Sequence, residues 1–184
     1  MKVILPSVLF LILGVTYLSA AEKQIDPEQS TLTIHVGKTG LLSAAGHDHT
    51  VRAPIAEGTV DDGASAHVSF RVEAARLAVL PEDHQSEIQH SMQERVLDSS
   101  HFPEISFVSN KVQSIEDGKW DVSGDLTLHG ETRPVEVRVQ YRGDTFVGSA
   151  TIKQTDFGIQ PISAAGGTVK VKNELKVDFT IRTK

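Results

Sequence analysis

Residues 124–142, GDLTLHGETRPVEVRVQYR, constrain the fold more than any other segment. Leu126 and Leu128 alternate with Thr127 and His129. After the break Gly130-Glu131-Thr132-Arg133-Pro134, the residues Val135, Val137, Val139 and Tyr141 alternate with Glu136, Arg138, Gln140 and Arg142. Period-two alternation on both sides of a short polar break predicts a β-hairpin with one apolar and one wet face. Much of the chain repeats the pattern, and a long series of hairpins must close on itself or pair into a sandwich.

The other predicted strands follow the same rule. Leu32, Ile34 and Val36 form one apolar row, and Val68, Phe70 and Val72 form another. Segments 105–115, 120–128 and 146–152 continue the series, and Leu175, Val177, Phe179 and Ile181 close it. Segment 51–60 carries Pro54, which places it at an edge or a bulge. Glu116-Asp117-Gly118, Arg142-Gly143-Asp144 and Ala165-Gly166-Gly167 are short Gly-containing connectors that favour antiparallel neighbours.

One segment breaks the pattern. After Pro81-Glu82-Asp83, Ile88, Met92 and Val96 recur every fourth residue, which predicts one amphipathic helix over 82–97 lying across the sheet. Its stripe serves as packing or as a lid over a cavity. About eight strands and one helix result, with no repeat and no linker, so a single all-β domain is expected.

Residues 3–18 are mostly apolar, follow Lys2 and precede Ser19-Ala20-Ala21. This predicts a signal peptide over 1–21, a domain over 22–184, and a periplasmic or secreted location. An uncleaved membrane anchor is the other reading; stable membrane insertion of the mature chain is not expected. The formal net charge is −6, and loss of Lys2 makes it more negative. An acidic chain argues against nucleic acid as a partner. With no cysteine, the domain has no disulfide framework and no Cys-linked lipid anchor, so the core must supply stability.

Nothing predicts catalysis. A Gly-x-Ser-x-Gly elbow, a cysteine nucleophile and a phosphate-cradling loop are all missing from the sequence. Acid pairs such as Asp61-Asp62 and Glu116-Asp117 fall in turns. The chain is read as a non-enzyme without a cofactor.

The Gly46-His47-Asp48-His49 segment is the least ordinary chemistry. In an extended chain His47 and His49 project from one face, where two imidazoles can share a metal. His35 and His129 are further candidates if they converge. The competing reading is a tight turn held by side-chain hydrogen bonds.

Several segments together resemble the YceI-like family of exported proteins. They are Ile25-Asp26-Pro27-Glu28-Gln29-Ser30, His101-Phe102-Pro103-Glu104-Ile105-Ser106-Phe107, Leu126-Thr127-Leu128-His129-Gly130-Glu131-Thr132-Arg133-Pro134-Val135, Thr155-Asp156-Phe157-Gly158-Ile159 and the strand 172–181. The resemblance spans about residues 24–183. It implies a lipocalin-like, eight-stranded antiparallel β-barrel that holds a polyisoprenoid or isoprenoid quinone chain in its lumen, for transport, storage or stress protection. The candidate lining is Ile34, Phe70, Phe107, Leu128, Val137, Ile152, Val177 and Phe179. The sequence departs from the family's common pattern at Gly46-His47-Asp48-His49, where many members have Gly-Arg-Phe, and at Gln154, where an arginine often stands. A metal-binding protein using His47 and His49, or a structural barrel with a filled core, are the alternatives. Oligomeric state stays open, a dimer included.

Overall fold

The computed structural model describes residues 22–40, 48–63, 65–164 and 168–184. The signal-peptide segment 1–21, Gly46, His47 and the Ala165-Gly166-Gly167 connector therefore lie outside the described residues.

Alternating apolar residues build one curled antiparallel sheet. Its strands are β1 (Lys23–Gln24), β2 (Thr31–Thr39), β3 (His49–Ala53), β4 (Ile55–Asp61), β5 (His67–Glu73), β6 (Ala78–Val79), β7 (Glu104–Glu116), β8 (Lys119–Leu128), β9 (Glu131–Arg142), β10 (Thr145–Lys153), β11 (Ser163–Ala164) and β12 (Val169–Arg182). The spatial order is β1-β4-β5-β7-β8-β9-β10-β12-β2-β3-β6, with β11 on β12. The expected eight long strands are present when β3 and β4 are taken as one strand bent at Pro54; β1, β6 and β11 are two-residue additions.

That bend closes the barrel. β3 pairs with β2 at one end of the strand order, and β4 pairs with β5 at the other. Pro54 lacks an N–H for a ladder and sits at the corner where neither ladder needs one. β1 adds a second tie. It pairs with β4, while Ile25 bridges Thr183 and the Asp26 N–H donates to the Arg182 carbonyl at 2.8 Å.

The hairpin turn is shorter than its polar break suggested. β8 and β9 pair without interruption from Leu128↔Glu131 to Lys119↔Gln140, so Glu131, Thr132, Arg133 and Pro134 belong to β9. The loop is His129-Gly130 alone, with φ of 52° and 76°. Two consecutive positive φ values match a type I′ turn, whose twist suits a β-hairpin. His129 thus lies in the turn and not on the strand. Its ring packs on Phe102, with centroids 4.3 Å apart, and its Nδ1 lies 3.2 Å from the Phe157 carbonyl oxygen. Three of the five segments quoted for the resemblance, those containing Phe102, His129 and Phe157, therefore meet at one end of the barrel.

The helix is also shorter than expected. Regular α-helix, α1, runs over Gln85–Ser91, and Met92–Val96 continues it as a π-helical turn. His84 has φ 59°, which no helical residue adopts, so Pro81, Glu82 and Asp83 cannot form a first turn. Glu82 is drawn to a partner on β3 instead.

Candidate functional site

A barrel whose strands face inward with Val, Ile, Leu and Phe has a hydrocarbon lumen. The lumen is not filled by side chains: it encloses a cavity of about 420 Å³. Small-molecule sites are commonly about 300–1,000 Å³.

Register decides which residues reach this wall, because paired positions share a face. Phe70 on β5 is opposite Phe107 on β7, and their rings stack with centroids 5.5 Å apart. Ile34 on β2 is opposite Val177 on β12, and Phe179 is opposite Leu32. Ile152 on β10 is opposite Leu175, and Val137 on β9 is opposite Val122. Leu128 ends the inward row of β8. All eight predicted lining residues border this one cavity. A bulge between Ser109 and Lys111 on β7 resets the alternation, so Phe107 and Val112 both face inward despite their odd spacing.

Ile88, Met92 and Val96 also border the cavity while packing against the buried core. Packing and cover are one role here. A row of glutamines fixes this segment. Gln85 Nε2 donates to the Val79 carbonyl at 2.7 Å. Gln89 Oε1 accepts from the Val79 N–H, and its Nε2 donates to the Leu77 carbonyl, each at 2.8 Å. Gln93 Nε2 lies 3.1 Å from both the Ala74 and Leu77 carbonyls. Positions i, i+4 and i+8 share a helix face, and that face is zipped to the segment leading into and through β6.

Polar groups on the wall gather at the barrel's two ends. At the end carrying α1, His49 Nδ1 lies 2.9 Å from Glu82 Oε2. The other Glu82 oxygen, Oε1, is buried without a hydrogen-bond partner. A buried acceptor left unmatched costs about 1–3 kcal/mol, and more when charged. Gln154, only 3% exposed, reaches the same end and donates to the Lys172 carbonyl at 2.8 Å. At the opposite end stand Asp61, Asp62, His67, Trp120 and Phe146. There the Ser109 hydroxyl accepts from the Val68 N–H at 2.9 Å and lies 3.0 Å from His67 Nδ1. Lys23 pairs with Asp62 at 2.8 Å, and that hydrogen bond raises the lysine's pKa. Tyr141, the last residue of the β9 apolar row, is 45% exposed and packs on Phe146 at 5.0 Å.

Among the described residues, the candidate histidines His35, His49 and His129 do not converge. His35 projects outward to Asp178 at 3.0 Å, His129 is held in its turn, and His47 lies outside the described residues. Among the described residues no group of three or more His, Asp or Glu is placed to hold a metal. No described helix is long and apolar enough to cross a membrane. Sequence reasoning missed the His49–Glu82 pair, since thirty-three positions separate its members. It also missed the glutamine row, although its four-residue spacing is visible in the sequence.

The YceI-like domain family model matches residues 24–183. A UPF0312 protein of Pseudomonas savastanoi pv. phaseolicola is 31% identical over 115 residues, which is 54% of this chain and 60% of that protein. The chain thus spans somewhat under two thirds of the length of that relative. Among solved structures, a polyisoprenoid binding domain from Saccharophagus degradans superposes with a TM-score of 0.61 at 14% identity, covering 90% of this chain and 98% of that one. BcnA of Burkholderia cenocepacia gives 0.59 at 19% identity, covering 85% and 98%. These two likenesses concern the fold.

Proposed function

We propose that this chain, which belongs to the YceI-like domain family, binds the hydrocarbon chain of a polyisoprenoid or isoprenoid quinone in its barrel lumen and shields it from water. The observation that carries this reading is the cavity wall: aliphatic and aromatic side chains from the sheet and from α1 enclose it, with polar groups confined to its ends. Burial of such a chain contributes about 0.8 kcal/mol per CH₂, so length alone supplies affinity with little polar recognition. The likeness to the Saccharophagus degradans polyisoprenoid binding domain supports the same ligand class. Export to the periplasm or medium, directed by residues 1–21, belongs to this reading, with transport, storage or protection of the lipid as the outcome. Binding, and not catalysis, is the activity.

Native mass spectrometry of protein purified from its own host tests the proposal. The expected result is a co-purifying isoprenoid that organic extraction removes. Absence of any lipid, together with no uptake of quinone or prenyl compounds in vitro, would overturn it.

A further inference from the structure

The inward row of β3 reads Ala53, Val51, His49, and all three border the cavity. An otherwise hydrocarbon row therefore ends in an imidazole. Its Nδ1 faces the Glu82 carboxylate at 2.9 Å. An ionised carboxylate only accepts, so Nδ1 carries the proton, and in the neutral ring Nε2 is a bare acceptor. Nε2 has no hydrogen-bond partner among the described residues. It is also accessible, since the only buried side-chain polar atoms without partners there are Glu82 Oε1 and Gln93 Oε1.

Packing alone does not account for this pair. Its partly buried carboxylate leaves one oxygen unmatched, and apolar residues of similar volume would fill such a place at no loss of stability. A carboxylate that fixes the tautomer of a ligand-facing histidine does account for it.

We infer that His49 Nε2 accepts a hydrogen bond from a hydroxyl head group, with Glu82 as the positioning residue. The cavity then selects isoprenoids headed by an alcohol or a quinol over those headed by a diphosphate or an ether. An ether has no proton to donate. A diphosphate offers Nε2 only anionic acceptors and sets them beside the Glu82 carboxylate. This inference rests on the isoprenoid reading above and specifies its polar end.

Geranylgeraniol, its methyl ether and geranylgeranyl diphosphate share one hydrocarbon chain and differ only at the head. Trp120, the single tryptophan, borders the cavity and reports their binding by fluorescence, with calorimetry as a second measurement. The alcohol is expected to bind about tenfold tighter than the ether, as one hydrogen bond between a hydroxyl and this ring supplies. In His49→Leu the two affinities become equal at the ether's value. In Glu82→Gln the alcohol preference shrinks while ether binding is unchanged, a split that a merely structural role would not produce. Equal affinities for alcohol and ether in the unaltered protein overturn the anchor and leave the hydrocarbon cavity standing. Failure of all three probes to bind overturns both. The comparison of probes on the unaltered protein needs no variant, so misfolding of either substitution does not blunt the test.

Discussion

Phe107 occupies the space that a side chain at position 124 would need. A β-carbon on Gly124 would lie 2.7 Å from Cε2 of the Phe107 ring and 2.6 Å from the Val108 carbonyl oxygen. The second obstacle is backbone, so a rotamer change cannot relieve it. Gly124→Ala is therefore expected to destabilise the protein by about 1–3 kcal/mol, as overpacking does. Urea unfolding measures it. Adding Phe107→Leu should recover only the part due to the ring, and full recovery would show that the Val108 contact is harmless.

Ala150 lines the cavity opposite Val177. Ala150→Trp directs an indole into the lumen, whereas an outward position on the same strand would leave the lumen empty. Isoprenoid affinity is expected to fall at least about tenfold, with unfolding still cooperative. Titration of the unaltered and substituted proteins with one prenyl alcohol checks it. Unchanged affinity would mean that the ligand lies elsewhere.

Gln89 joins α1 to the β6 segment through two hydrogen bonds that flank Ala78, accepting from the Val79 N–H and donating to the Leu77 carbonyl. Val79 is only 1% exposed, so water cannot replace them. Gln89→Ala is expected to cost about 1–3 kcal/mol. Amide exchange should localise the loss: the Val79 N–H exchanges faster while the β8–β9 ladder keeps its protection.

Acid should weaken the turn after the π-helical segment. His101, 2.8 Å from Asp98, holds that carboxyl below the usual aspartate range, with Ser100 adding a second hydrogen bond. A carboxyl depressed in the folded state contributes stability that is present above its ordinary pKa of about 3.9 and lost as pH falls through the lower folded value. Asp98→Asn removes the charge and tolerates the residue's φ of 43°. The acid limb of a stability–pH profile should become shallower in that variant, and the neutral-pH stability should drop slightly. Both groups are near the surface, so a large effect would contradict this account.

Much of the barrel was legible because its inner face repeats with period two. Alternation marked Phe70, Phe107, Val137 and Val177 as apolar-face positions of their own strands, and only the cross-strand register brings them to one wall. What alternation could not reveal was anything set by a single residue against its neighbours. The I′ turn depends on His129 accepting a positive φ that asparagine or glycine more often takes, so Glu131 and Thr132 read as loop when they are strand. The helix start was misplaced because Pro81-Glu82-Asp83 has the composition of a first turn, yet Glu82 serves His49 on a strand. That pairing couples distant segments, and no local pattern encodes it.

Pro54 is the covalent corner between the two ladders that meet at the barrel's seam. The ladder of β3 with β2 stops at Ala53, and that of β4 with β5 starts at Ile55, so one corner carries the closure without belonging to either ladder. With no N–H at that corner, the seam offers an incoming strand no donor there, and the chain connection itself holds the two ladders together.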